Sequence, residues 1–149
     1  MKKLFFVLLC IASLDLVAQK LPSPVKWKFD LVSKGKEKAE FVATASIDQG
    51  WNIYAVYMSD EGPVPTSFTF ASVINAELEG DIVEKSKPIK GFDPLFDMEV
   101  IKFKEKAEFS QMVNFVQSNK THLQGFVTFM SCDSQKCLPP VDVPFSVKL

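Results

Sequence analysis

The chain has 149 residues, 17 basic and 18 acidic side chains and one histidine, which gives a formal net charge of −1 at pH 7. A chain without a basic excess lacks the electrostatic character of a nucleic-acid-binding protein. Every basic residue is a lysine, and this argues against bidentate arginine recognition of phosphate or carboxylate groups.

Residues 1–18 have the pattern of a cleaved signal peptide: a positive start, an apolar run from Leu4 to Leu14, and a plausible cleavage site after Ala18. The run is too short for a membrane-spanning helix, which needs about 20 apolar residues. The remaining 131 residues suffice for one hydrophobic core but not for two. We therefore predict a single exported domain over residues 19–149, periplasmic or secreted, with no membrane span in the mature chain.

Period-two alternation of apolar and polar residues recurs along the chain and predicts β-strands. In the first of them, Trp27 and Phe29 point to the same face, while Lys26 and Lys28 point to the other. The predicted strands run from Val25 to Leu31, Ala39 to Ile47, Trp51 to Tyr57, Thr66 to Phe70, Ala76 to Glu84, Glu99 to Lys104, Ala107 to Phe115, Leu123 to Met130 and Val141 to Leu149. Eight or nine short strands predict an all-β sandwich.

Turn-forming residues separate these strands. Asp48-Gln49-Gly50 predicts a turn, and the lysine-rich stretch from Lys34 to Lys38 predicts a solvated hairpin turn. The stretch from Lys85 to Pro94 is interpreted as a loop within the domain. Pro144 cannot donate a ladder hydrogen bond, so we expect the last strand at a sheet edge.

Two cysteines, Cys132 and Cys137, lie close together near the C-terminus, and the third, Cys10, lies in the predicted signal. The pair has no other partner in the mature chain. A bridge closing so short a loop stabilises by only about 2 kcal/mol in the chain-entropy model, yet such bridges do occur as static features of secreted proteins. The polar residues 133–136 would let another sulfur approach, as thiol exchange requires. Both interpretations stay open at this point.

Other functional classes have weaker support. Metal binding by the cysteines with His122 or Asp133 would lack the four good ligands of a closed zinc site. The methionines are too scattered to indicate a copper site and are expected to pack in the interior: Met58, Met98, Met112 and Met130. Neither a hydrolase triad nor a nucleotide-binding glycine loop is evident, and no cofactor is predicted.

Several motifs resemble a known family. The matching segments are Ser23-Pro24-Val25-Lys26-Trp27, Asp48-Gln49-Gly50-Trp51-Asn52-Ile53-Tyr54, Gly62-Pro63-Val64-Pro65-Thr66, and Met130-Ser131-Cys132 to Cys137-Leu138-Pro139-Pro140. Over nearly the whole mature chain the sequence resembles the N-terminal periplasmic domain of the disulfide interchange protein DsbD. The resemblance implies an immunoglobulin-like β-sandwich whose cysteine pair cycles between dithiol and disulfide.

The resemblance also implies roles for individual residues. Cys137 would attack a partner's disulfide, and Cys132 would resolve the mixed disulfide. The family shields its pair with an aromatic residue from a cap loop, for which Phe96 is the first candidate and Phe92 the second. Tyr54 and Trp51 are further candidates for an apolar wall around the sulfur atoms. Aromatic residues in strands usually pack in the interior, so the alternative is that Trp51 belongs to the core and only Tyr54 lies near the site.

The implied partners are thioredoxin-like or disulfide-isomerase-like proteins that form mixed disulfides with the domain. Because the chain ends at Leu149 without an electron-transfer region, electrons are expected from a donor on another chain. A reductase, an adaptor for thioredoxin-like partners and a domain with a static bridge all remain possible. A non-enzymatic binding module that uses the proline-rich loop and the sheet edges is the alternative from another functional class.

Overall fold

The computed structural model describes residues 23–59, 61–116 and 120–149. The predicted signal peptide lies outside these residues. Eleven β-strands form the described structure: β1 (Val25–Ser33), β2 (Lys38–Ile47), β3 (Asn52–Tyr54), β4 (Ser67–Ile74), β5 (Ala76–Glu84), β6 (Ile89–Asp93), β7 (Met98–Phe103), β8 (Lys106–Phe115), β9 (His122–Phe129), β10 (Ser131–Cys132) and β11 (Val141–Lys148). Within the described ranges, no helix is long and apolar enough to span a membrane.

The strands form three antiparallel sheets in the orders β1-β2-β8-β5, β11-β9-β4 and β10-β3-β7-β6. The first two sheets face each other across an aromatic core. Phe41 of β2 lies 5.2 Å from Phe70 of β4 and 4.8 Å from Phe145 of β11, measured between ring centroids. Close ring packing between facing sheets is what defines a β-sandwich core. The predicted all-β sandwich is confirmed.

The alternation in β2 explains why this strand is central to the core. Ala39, Phe41, Ala43 and Ala45 are fully buried on its inner face, whereas Thr44 between them is only partly buried. Small alanines leave room for the large rings contributed by the opposite sheet. The period-two pattern in the sequence therefore identified the core face correctly.

Two segments differ from the sequence prediction by more than a shift of strand ends. The strand expected from Trp51 to Tyr57 is limited to β3, because the amide of Val56 donates to the Glu84 carboxylate at 2.7 Å instead of joining a ladder. The stretch expected to be a loop between Lys85 and Pro94 contains β6, which pairs with β7 over its whole length. Gly91 in its middle weakened the strand signal.

The last strand lies where its proline predicts. β11 is at the end of its sheet and pairs on one side with β9, with Pro144 opposite Phe126. An edge strand has one side free of ladder bonds, so the missing amide proton of proline costs no hydrogen bond there.

A carboxylate on the outer face of the first sheet links a turn to a distant strand end. Glu40 of β2 has a largely buried side chain, with Lys34 Nζ 2.8 Å from one carboxylate oxygen and Lys85 Nζ 3.0 Å from the other. Hydrogen bonds from Lys34 and Lys85 lower the pKa of Glu40 to about 2. A carboxylate with a depressed pKa stabilises the folded state above its unfolded pKa.

Replacement of Glu40 tests, as a function of pH, how much its ion pairs with Lys34 and Lys85 stabilise the fold. Glu40→Gln is expected to lower the free energy of unfolding by about 1–2 kcal/mol near pH 7, since both lysines lose their charged partner. The folded-state pKa of Glu40 lies below the unfolded one. The difference in unfolding free energy between wild type and variant should therefore be constant above about pH 5 and vanish as the pH falls toward 2. Urea unfolding of both proteins across this range measures it.

The matched control is Glu79→Gln, because Glu79 forms an exposed pair with Lys38 on the same sheet. Solvent screens this pair, and its loss should change stability much less. An equal effect of the two substitutions would contradict the structural role given to Glu40.

Candidate functional site

The two cysteines lie opposite each other in a tight hairpin formed by residues 131–138, here called the cysteine hairpin. Their sulfur atoms are joined at 2.03 Å, and their Cα atoms are 4.0 Å apart. Backbone bonds close the hairpin, from Asp133 N–H to the Lys136 carbonyl and from Leu138 N–H to the Ser131 carbonyl, both at 2.9 Å. The disulfide therefore crosslinks two antiparallel segments that already pair through their backbones.

Asp133 shapes the tip of this hairpin. Its carboxylate accepts hydrogen bonds from the amides of Gln135 at 2.7 Å and Lys136 at 2.8 Å. These bonds lower the pKa of Asp133, so the carboxylate is charged at neutral pH. The side chains of residues 134–136 are exposed, and the tip presents polar groups to the surroundings.

The disulfide is asymmetric in its exposure. Cys132 has 0% of its surface exposed, whereas Cys137 is partly exposed. The difference follows from strand pairing, because Cys132 belongs to β10 and pairs with Asn52 of β3, while Cys137 lies beyond that ladder. Cys137 is therefore the more exposed end of the disulfide.

A small apolar cluster surrounds the disulfide and is separate from the main core. Its buried members are Tyr54 of β3, Val100 of β7 and Cys132. Phe96, Met58, Met98, Met130 and Cys137 pack against them while remaining partly exposed. The Phe96 ring meets the Tyr54 ring edge to face at 5.8 Å, an arrangement that aromatic pairs favour.

The structure brings two of the four predicted aromatic residues to the disulfide. Tyr54 and Phe96 belong to the disulfide cluster, but Trp51 packs against the main core. Successive residues of a strand point to opposite faces, so Trp51 and Ile53 face the core while Tyr54 faces the cysteines. Phe92 is 61% exposed and lies outside the cluster.

Three methionines near the disulfide were not identified from the sequence as site residues. Met58, Met98 and Met130 come from three distant segments, and only the pairing of β3, β7 and β10 brings them together. Met130 directly precedes β10, and this adjacency to Cys132 is the one signal that the sequence offered. His122 begins β9, at the strand end far from the cysteines, and its Nε2 lies 2.9 Å from the Ser146 hydroxyl.

Polar atoms are buried beside the cluster. The Tyr54 hydroxyl and the Asn52 amide nitrogen are both buried, and among the described residues neither has a partner in good hydrogen-bonding geometry. Burial raises the pKa of Tyr54 to about 12, so its phenol is protonated at neutral pH. The Thr66 hydroxyl donates to the Tyr54 carbonyl at 2.6 Å and fixes the backbone at the end of β3.

No metal-binding cluster occurs in the part of the chain that the structure describes: three His, Cys, Asp or Glu side chains do not converge anywhere in it.

Neither a protein-family model nor a curated protein sequence matches this chain. Solved structures do. The N-terminal periplasmic domain of ScsB from Proteus mirabilis superposes with a TM-score of 0.56 and 19% identity, and the match covers 82% of this chain but only 44% of that one.

The N-terminal domain of DsbD from Neisseria meningitidis, solved in the reduced form, matches with a TM-score of 0.55 and 16% identity over 86% of this chain and 90% of that one. Each similarity spans most of the sandwich described above. The chain therefore has the immunoglobulin-like β-sandwich fold of the DsbD N-terminal periplasmic domain.

Proposed function

We propose that this domain carries out thiol-disulfide exchange in the periplasm, passing electrons from thioredoxin-like donors to oxidised proteins through Cys132 and Cys137. The observation that carries the proposal is the asymmetric disulfide in the cysteine hairpin, in which Cys132 is buried and Cys137 is partly exposed. Exchange requires one accessible sulfur atom and a second one within bonding distance.

The reaction balances with two cysteines and a partner disulfide. In the reduced domain, the Cys137 thiolate attacks one sulfur atom of the partner, a mixed disulfide forms, and the partner's other sulfur leaves as a thiolate. The Cys132 thiolate then attacks the Cys137 sulfur, which releases the partner as a dithiol and restores the Cys132–Cys137 disulfide. Two electrons have moved to the partner, and a donor dithiol returns them in the reverse sequence.

The burial of the two cysteines supports this order of attack. Cys137 is the more exposed of the two cysteines, whereas Cys132 is buried in one cluster with Tyr54 and Val100. A buried sulfur atom is a poor target for an external protein but is well placed to resolve a mixed disulfide on its neighbour.

Phe96 and Tyr54 act in this proposal as a shield, the name used here for their two side chains. Their rings pack in the cluster that contains the disulfide, so small thiols meet apolar surface before they meet sulfur. A shield of this kind reduces unproductive reactions, and a docking protein could displace a ring that is carried by a short turn.

The structural neighbours support the compartment and the redox role. The ScsB domain is described as periplasmic, and the Neisseria structure is a DsbD N-terminal domain in the reduced form. For this chain we propose a periplasmic location after signal cleavage, and a donor and an acceptor that are separate thioredoxin-like or disulfide-isomerase-like proteins.

Trapping tests the order of attack. Cys132→Ser leaves the accessible thiol of Cys137 and removes the resolving one. Mixed with an oxidised thioredoxin-like protein, this variant is expected to accumulate a covalent adduct that dithiothreitol releases, measured by non-reducing electrophoresis and mass spectrometry.

The control is Cys137→Ser, whose remaining thiol is buried and should form at least about tenfold less adduct over the same time. The absence of adducts with either variant would favour a static bridge in a binding module. Preferential adduct formation through Cys132 would reverse the proposed order.

Removal of the aromatic ring tests the shield. Phe96→Ala is expected to raise the rate of disulfide reduction by a small dithiol about tenfold, because an aromatic ring is lost from the cluster that contains the disulfide. Phe92→Ala is the matched control, since Phe92 lies on the same hairpin but is largely exposed and outside the cluster. Equal rates for wild type and Phe96→Ala would contradict a shielding role.

A further inference from the structure

Phe96 is carried by a short connection between β6 and β7, residues 93–97, here called the cap turn. The Phe96 amide donates to the Asp93 carbonyl at 3.2 Å, and the Leu95 amide donates to the Asp93 carboxylate at 3.1 Å. Asp97 closes the turn with a φ of 53°, a left-handed conformation that Asp adopts more readily than most residues. Asp93 thus organises the turn through both its backbone and its side chain.

The same carboxylate is also tied to the sheet beneath it. Its second oxygen lies 2.8 Å from Lys102 Nζ, and the two side chains are only 5% and 16% exposed. Lys102 is on β7, the strand between β3 and β6, and pairs in register with Tyr54. One ion pair therefore connects the cap turn to the strand next to the shield residue Tyr54.

A second ion pair on the same two strands provides a comparison. Lys90 of β6 and Glu99 of β7 are 3.2 Å apart, but both side chains are 66% exposed. Exposed pairs of this type are screened by water and contribute little, whereas loss of one partner from a buried pair leaves an uncompensated charge. Burial distinguishes the Asp93–Lys102 pair from its neighbour.

The cap turn has few other attachments. Pro94, Leu95 and Asp97 are exposed. A pocket of about 170 Å³ separates residues 94 and 95 from residues 133 and 134 of the cysteine hairpin, and Asn52 and Lys102 also line it. On this side the position of Phe96 therefore depends on its own ring contacts, on the pairing of β6 with β7 and on the ion pair.

We propose that Asp93 and Lys102 are positioning residues that hold the cap turn closed and thereby keep Phe96 over the Cys132–Cys137 disulfide. The inference rests on the shield described under the proposed function, and it specifies what controls access to the sulfur atoms. Loss of either charge leaves the other one buried and unpaired. Opening of the turn relieves that burial, so the open population rises.

The test measures the pseudo-first-order rate of disulfide reduction by dithiothreitol, monitored by mass spectrometry after alkylation. Asp93→Asn keeps an acceptor for the Leu95 amide but removes the charge that Lys102 faces. Both Asp93→Asn and Lys102→Met are expected to react about tenfold faster than wild type. The double variant should react no faster than either single one, because the two residues act through the same contact.

Two further variants separate positioning from general destabilisation. Lys90→Met removes the exposed pair on the same strands and should leave the rate unchanged. Lys102→Arg keeps the positive charge and should remain within about twofold of wild type. The melting temperature of each variant is measured in parallel, since global unfolding would accelerate reduction in proportion to the loss of stability.

The outcomes are distinguishable. The proposal is supported if Asp93→Asn and Lys102→Met are reduced faster than wild type without a matching loss of stability, while both controls stay within about twofold of wild type. This result would support it even if no protein partner is ever trapped. Wild-type rates in both variants while Phe96→Ala is accelerated would overturn the positioning role and keep the shield. Wild-type reduction rates in Asp93→Asn, Lys102→Met and Phe96→Ala would overturn both the positioning role and the shield. Acceleration that follows the melting temperature alone would also overturn the positioning role.

Discussion

The three-residue strand β3 is the constraint on which the rest of the site depends. Its alternation sends Ile53 into the main core and Tyr54 into the disulfide cluster. One edge of β3 pairs with β10, which contains Cys132, and the other pairs with β7, which carries Lys102. A strand fixed on one face by the core therefore sets the positions of the buried cysteine, the shield and the attachment point of the cap turn.

The same arrangement explains how a local disulfide can be chemically unequal at its two ends. A bridge that closes a loop of about six residues contributes only about 2 kcal/mol by chain entropy, and the sandwich core is built without it. What the hairpin provides is a difference in environment: Cys132 lies within a paired strand, and Cys137 lies just outside it. In the proposed reaction, this difference makes Cys137 the attacking cysteine and Cys132 the resolving one.

Much of the sandwich could be predicted from the sequence, because strands with one buried face carry their own pattern. Val25–Ser33 and Lys38–Ile47 alternate clearly, and the proline of β11 indicated an edge. β6 was missed because Gly91 and the flanking prolines resemble a loop, and β10 is too short to carry any periodicity. Pairing with a neighbour, and not local preference, makes both of them strands.

The cysteine pair was identifiable from its spacing, but its surroundings were not. Met58, Met98 and Val100 reach the disulfide only through the order of strands in the third sheet, which no local pattern reports. Trp51 and Tyr54 are three residues apart in one predicted strand and so point to opposite faces, but only the structure shows that Tyr54 is the one near the cysteines. The Asp93–Lys102 contact likewise joins a segment predicted as a loop to a predicted strand, and it depends on how β6 pairs with β7.

The most direct test of the account is the reduction potential of the Cys132–Cys137 disulfide. The purified mature domain is equilibrated with glutathione or thioredoxin buffers of known reduction potential, and the oxidised fraction of the domain is measured by alkylation and mass spectrometry. A carrier that exchanges electrons with thioredoxin-like proteins should have a potential above about −300 mV, within their working range. A potential well below that value would mark the bridge as static and contradict the proposed function.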